Sequence, residues 1–144
     1  MQAAARTLGL ELHVTKAGNE RNLDAAFVDF TQSNAQALLI AGDAFFLVAR
    51  EKIVALAARH AIPMMYNNRD FVLAGGLASY GTNVPNVCRQ VGIYAARIVK
   101  GEKAGDLPVL QPTKFDLTLN VKTAKALGLT VPTSMQLLAD EIIE

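Results

Sequence analysis

Short apolar runs recur along this chain, each followed by a polar turn and then by a stretch of helical period. Ala35–Ala41, Ile62–Tyr66 and Leu77–Tyr80 are the runs. Continuous apolarity over so few residues suits a strand covered on both faces. Parallel strands of that kind need a crossover, usually a helix, to reach the next strand. Candidates follow each run: Phe45–His60, a short Phe71–Ala74 stopped by Gly75-Gly76, and Asn86–Lys100. The two long candidates place apolar residues at helical spacing, as with Val48, Ile53, Leu56 and Ala57, or Val87, Val91, Tyr94 and Ile98.

The flanks read less cleanly. Gln2–Leu8 reads as a helix closed by Gly9, and Leu10–Thr15 alternates apolar and polar as a strand does. Asn22 is placed to cap a helix running to Asn34, with Leu23, Phe27 and Phe30 on one face. Gly101–Pro112 is a linker, Phe115–Asn120 another strand, Val121–Leu127 a helix, and Ser134–Ile143 a last helical stretch. Helices alternating with short strands predict one α/β unit over residues 1–144. The expected architecture is a three-layer, Rossmann-like lobe with a mainly parallel sheet and helices on both faces.

Composition removes several function classes. Fourteen basic and thirteen acidic side chains give a net charge of +1, so no long-range field draws the chain to nucleic acid or an anionic membrane. Trp is absent and aromatics are 6%, which argues against a base-stacking platform. No apolar run approaches the roughly 20 residues of a membrane helix, so no direct membrane insertion is expected. Cys88 is the single cysteine and is expected to be a small buried apolar side chain. The start, Met1-Gln2-Ala3-Ala4-Ala5-Arg6, has neither a basic nor an apolar leader region and reads like the middle of a helix.

In an open parallel sheet, ligands sit beyond the carboxyl ends of the strands. That rule selects Ala41–Phe46, Tyr66–Phe71 and Tyr80–Asn83. Each mixes hydrogen-bonding groups with aromatic surface, as a small-molecule pocket does. Asp43 and Asp70 can accept from an ammonium or hydroxyl group, and Arg69 can grip a carboxylate with two parallel bonds. Phe46, Tyr66 and Tyr80 can flank an apolar part of the ligand, and Asn67 can hydrogen-bond it. Each residue has a structural role beside the functional one. Asp43 and Asp70 suit helix caps, Asn67 suits turn geometry, and Arg69 suits a solvated surface. No metal-ligand spacing, nucleophile elbow or phosphate loop occurs, so no metal, no cofactor and no enzymatic activity are expected.

Ile62–Gly81 resembles the signature P-x-x-Y-x-x-R-E-F-x-x-A-G-G-L-x-S-Y-G of the ABC-transporter substrate-binding proteins of the tryptophan/tyrosine type, within the type I periplasmic binding protein superfamily. Asp43-Ala44-Phe45-Phe46 is similar to that family's D-P-F-F loop, with Ala44 in place of proline. Asp70 stands in place of the usual glutamate. Arg89–Lys103, Asp106–Val109, Pro112–Asn120 and Lys122–Leu129 are similar to its long helix, linker and C-terminal strand and helix.

The resemblance implies a two-lobed protein that closes on an amino acid or small organic acid and presents the closed form to a membrane permease. It implies an extracytoplasmic location, periplasmic or lipid-anchored. This chain would then be the second lobe. Residues 81–113 would hold two hinge crossings and a helix, Asn86–Lys100, that packs on the other lobe. In this chain alone that helix would be exposed, repacked or buried in a dimer. Two rivals share the fold pattern: the effector-binding domain of a transcriptional regulator, and a flavodoxin-like enzyme or sensor.

Overall fold

The computed structural model describes residues 1–144. In chain order it contains helices α1 (Gln2–Thr7) and α2 (Glu20–Gln32), strand β1 (Leu38–Leu39), helices α3 (Ala44–Val48) and α4 (Arg50–Arg59), strand β2 (Met64–Tyr66) and helix α5 (Arg69–Leu73). Strand β3 (Ala78–Thr82), helix α6 (Val84–Val99), strand β4 (Phe115–Asn120), helices α7 (Val121–Ala126) and α8 (Thr133–Leu138) and strand β5 (Glu141–Ile143) follow. The strands form one sheet in the order β1-β2-β3-β4-β5. All neighbours are parallel except β3 and β4, which are antiparallel. The α/β class and the mainly parallel sheet are therefore as the sequence pattern predicts.

Alternation along the strands sorts side chains onto two faces. Leu38, Met64, Tyr66, Ser79 and Thr118 point to one face, and all are buried. The core lies there. Leu23 and Phe27 of α2, Ile53, Val54, Leu56 and Ala57 of α4, and Phe71 of α5 pack onto Leu38, Met64 and Tyr66. The tightest element of that core is Tyr66 stacked on Phe71, with ring centroids 4.7 Å apart. The other face is largely open: Leu39 and Tyr80 are more than half exposed, and Phe115 and Ile142 are also exposed.

Five expectations need correction. Leu10–Thr15 forms no strand. It runs along α2 instead, held where Asp29 accepts from Thr15 Oγ1 at 2.7 Å and pairs with His13 Nε2 at 2.8 Å. Ala35–Ala41 contributes only Leu38–Leu39, at an edge covered on one face, so continuous apolarity overstated its burial. The expected helix Phe45–His60 divides at Ala49 into α3 and α4. Ser134–Ile143 stops being helical at Leu138, and Glu141–Ile143 pairs beside β4, where the β-branched Ile142 and Ile143 suit a pleated surface. Cys88, expected to be buried, is exposed on α6.

Candidate functional site

Three helices begin immediately beyond three strands, and a side chain caps each. Asp43 accepts from the Phe45 amide at 2.8 Å, Asn68 from the Asp70 amide at 2.8 Å, and Asn83 from the Asn86 amide at 2.7 Å. The caps bring β1, β2 and β3 to a common end of the sheet, because the three strands run parallel and each turns straight into a helix.

Asn67 is the point where the three ends meet. A Cβ on Gly42 would stand 2.8 Å from Asn67 Nδ2, and a Cβ on Gly81 would stand 1.9 Å from the Asn67 carbonyl oxygen. Only glycine permits that second approach, so Gly81 fixes how closely β3 comes to the Asn67 turn. Gly42, Asp43, Ala44, Leu47, Asn67 and Asn68 line a shallow crevice of about 270 Å³. Its polar groups are one carboxylate and two carboxamides.

Arg69 and Asp70 open α5 beside this crevice. Arg69 does not stand free. Its guanidinium forms a fork-on-fork pair with Glu141 of β5, through Nε to Oε2 and through Nη2 to Oε1 at 2.6 Å. The pair raises the Arg69 pKa above its ordinary value and lowers that of Glu141, in both cases chiefly through the hydrogen bonds between them. Asp70 and Asp116 add weaker stabilising charge to Arg69. Asp116 sits opposite Gly81 on β4; its Oδ2 accepts from Asn83 Nδ2 at 2.5 Å, while its Oδ1 is shut from solvent with no hydrogen-bond partner.

The aromatic candidates go elsewhere. Tyr66 is 1% exposed and belongs to the core, where burial raises its phenol pKa. It borders a narrow apolar gap of about 110 Å³ between α4 and α7, away from the crevice. Phe46 packs against the core with Phe45, their ring centroids 5.5 Å apart. Tyr80 lies on the open face of the sheet, stacked on Phe115 at 5.7 Å. Asp43 and Asn67 thus share the crevice, Arg69 and Asp70 follow its Asn68 in the chain, with the Arg69 guanidinium turned to β5, and Phe46, Tyr66 and Tyr80 do not line it.

Residues the sequence reading did not single out also shape the site. Asn68 and Asn83 act through caps, Gly42 and Gly81 through missing side chains, and Asp116 and Glu141 through charge. A polar Asn one residue before each helix start was a usable signal for the caps. Glu141 was hidden because its segment read as helix.

Solved structures share this fold. A conserved domain protein from Vibrio cholerae is 23% identical, with a TM-score of 0.89 over 98% of this chain and 47% of its own. A Streptococcus pneumoniae ABC domain in complex with L-Trp is also 23% identical, with a TM-score of 0.89 over 98% of this chain and 48% of its own. A Clostridium difficile substrate binding protein with adhesive properties, in a ligand-free, open form, is 20% identical, with a TM-score of 0.68 over 99% of this chain and 47% of its own. The chain spans about half the length of these structures. No curated protein matches it. The family model for ABC transporter substrate binding proteins matches residues 1–143, and the chain belongs to that family.

Proposed function

We propose that this chain is one lobe of the solute-binding component of an ABC importer. It holds one side of a small molecule, an amino acid or small organic acid, in the crevice at the carboxyl ends of β1, β2 and β3. The single observation that carries the reading is the convergence of Gly42, Asn67 and Gly81: the first two loops line one shallow polar surface, and Gly81 backs the Asn67 turn from β3. Such a surface binds a solute well only when a second one closes over it. Solute touching both then favours the closed form and shifts the hinge equilibrium towards it.

The behaviour of α6 supports placing a hinge in residues 81–113. None of its sixteen residues is buried, although Val84, Val87, Val91, Tyr94 and Ile98 form an apolar stripe. An exposed stripe of that kind marks an interaction surface, and another lobe is the cover we propose. The family implies an extracytoplasmic location and a permease as partner. No helix here is long and apolar enough to cross a membrane.

Thermal unfolding of the chain against a panel of amino acids and small organic acids tests the reading. A binder raises the midpoint in proportion to ln(1 + [L]/Kd). At least one member of the panel should do so at millimolar concentration. A panel without effect, together with unchanged amide resonances at Gly42, Asp43 and Asn67, would reject the crevice as a solute site.

A further inference from the structure

We infer that the apolar gap between α4 and α7 is a second binding site, for a small neutral molecule with an apolar body and one hydrogen-bond acceptor, anchored on the Tyr66 hydroxyl. It goes beyond the solute-binding reading above, and neither depends on the other. Val54 and Ala57 of α4, Met64 and Tyr66 of β2, and Thr123 of α7 line the gap, with Leu127 just past the end of α7. No charged side chain lines it. Ala58, Ala61 and Ala126 at its rim are exposed, so the gap opens to solvent between the two helices.

Tyr66 gives the gap its chemistry. The residue is 1% exposed, and its hydroxyl takes part in no hydrogen bond. Asp116 Oδ1 is the side-chain polar atom that is both unpaired and sealed from solvent. The Tyr66 hydroxyl is unpaired without being sealed, so it looks onto a space that a water-sized molecule enters. The gap is the space Tyr66 lines. Its ring edge stands against Gly76, where a Cβ would come within 2.6 Å of Cε2. A buried phenol normally finds a partner, and leaving it without one costs free energy. The nearby Thr123 hydroxyl is already committed, since its Oγ1 donates to the Gly75 carbonyl at 2.9 Å. Size and polarity narrow the class further. The gap measures about 110 Å³. A dry apolar cavity of about 150 Å³ holds benzene, so this one takes about five non-hydrogen atoms, or about six with one end in the open mouth. A charged molecule would leave water for a lining with no counter-charge, at a cost the contacts do not return.

Cyclopentanone and cyclopentylamine are of one size, and the amine is cationic at neutral pH. Each would be titrated into the chain while NMR follows the methyl groups of Val54, Met64, Leu77 and Leu127. Cyclopentanone should move these signals at millimolar concentration and leave the amides of Gly42 and Asp43 in place. Cyclopentylamine should not move them. Tyr66→Phe keeps the ring and removes the donor. It should fold at least as stably as the parent and bind the ketone about fivefold more weakly. Ala126→Leu lays a larger side chain across the exposed mouth and should abolish the shifts. Signals that stay still under the ketone would mean that the gap holds water alone, and the inference would fall. Binding that survives both substitutions would place the ketone elsewhere and overturn it too. Binding blocked by Ala126→Leu but indifferent to Tyr66→Phe would remove the hydroxyl as anchor, and equal binding of the amine would reject the neutral class. The crevice reading survives each of these results.

Discussion

Helices α4 and α6 carry the same kind of pattern and meet opposite fates. In α4, four of ten residues are buried: Ile53, Val54, Leu56 and Ala57. In α6, sixteen residues include an apolar stripe and none is buried, with Val91 63% exposed and Val99 87%. Periodicity states that a helix has a face to hide, and it does not say what hides it. Within this chain the core belongs to α2, α4 and α5, and α6 stands outside it. Its contacts are with the linker that follows. Tyr94 donates to the Pro108 carbonyl at 2.6 Å, and Arg97 pairs with Glu102 at 2.6 Å.

Substitutions should separate the two regions. Phe71→Ala removes the ring stacked on Tyr66 and leaves a cavity, which should cost about 3–5 kcal/mol in urea unfolding. Survival of most of the stability would show that the α5 core is looser than described. Gly81→Ala drives a methyl into the Asn67 carbonyl and should cost about 1–3 kcal/mol, with the largest amide shifts at Asn67 and Gly42. Shifts confined to β3 would mean that the loops are not coupled through Asn67.

Glu141→Gln breaks an ion pair that is partly exposed on both sides, so the loss at neutral pH should be about 0–1 kcal/mol. Its sign with pH is fixed. Arg69 lowers the Glu141 pKa below the ordinary 4.5, so the pair contributes fully above that value and fades as the pH falls through the lowered one. The difference between the parent protein and Glu141→Gln should therefore shrink under acid. A gap that widens there would contradict the pairing. Val91→Ser on α6 should change stability by less than about 0.5 kcal/mol, because in this chain its side chain leaves water neither before nor after. A loss of several kcal/mol would place that stripe in a core.

How much of this was readable in the sequence follows the same division. The run Ile62–Tyr66 became β2 because local pattern and tertiary burial agree there, whereas Leu77–Tyr80 entered β3 through pairing on both sides with only Ser79 buried. Leu10–Thr15 carries the strand pattern just as clearly, yet it pairs with no neighbour, because alternation supplies a face and not a ladder partner. The site shows a similar split. The strand-end rule placed Asp43 and Asn67 in loops that do line one crevice, since their position depends only on the strand direction. Whether an aromatic at a strand end faces the crevice or the core depends on one step of register, and that step put Tyr66 under α5 and Tyr80 on the open face. The partner of Arg69 lies 72 residues away, a distance that local pattern does not span.

Amide hydrogen exchange on the native chain compares α4 and α6 most directly. Amides of Ile53, Val54 and Leu56 should exchange only through global unfolding, with protection matching the stability measured by urea. Those of Val91, Tyr94 and Ile98 should exchange much faster, through local opening of a helix with nothing packed on it. Equal protection in the two helices would mean that α6 is covered in this chain after all, and the division into a closed core and an exposed helix would fail.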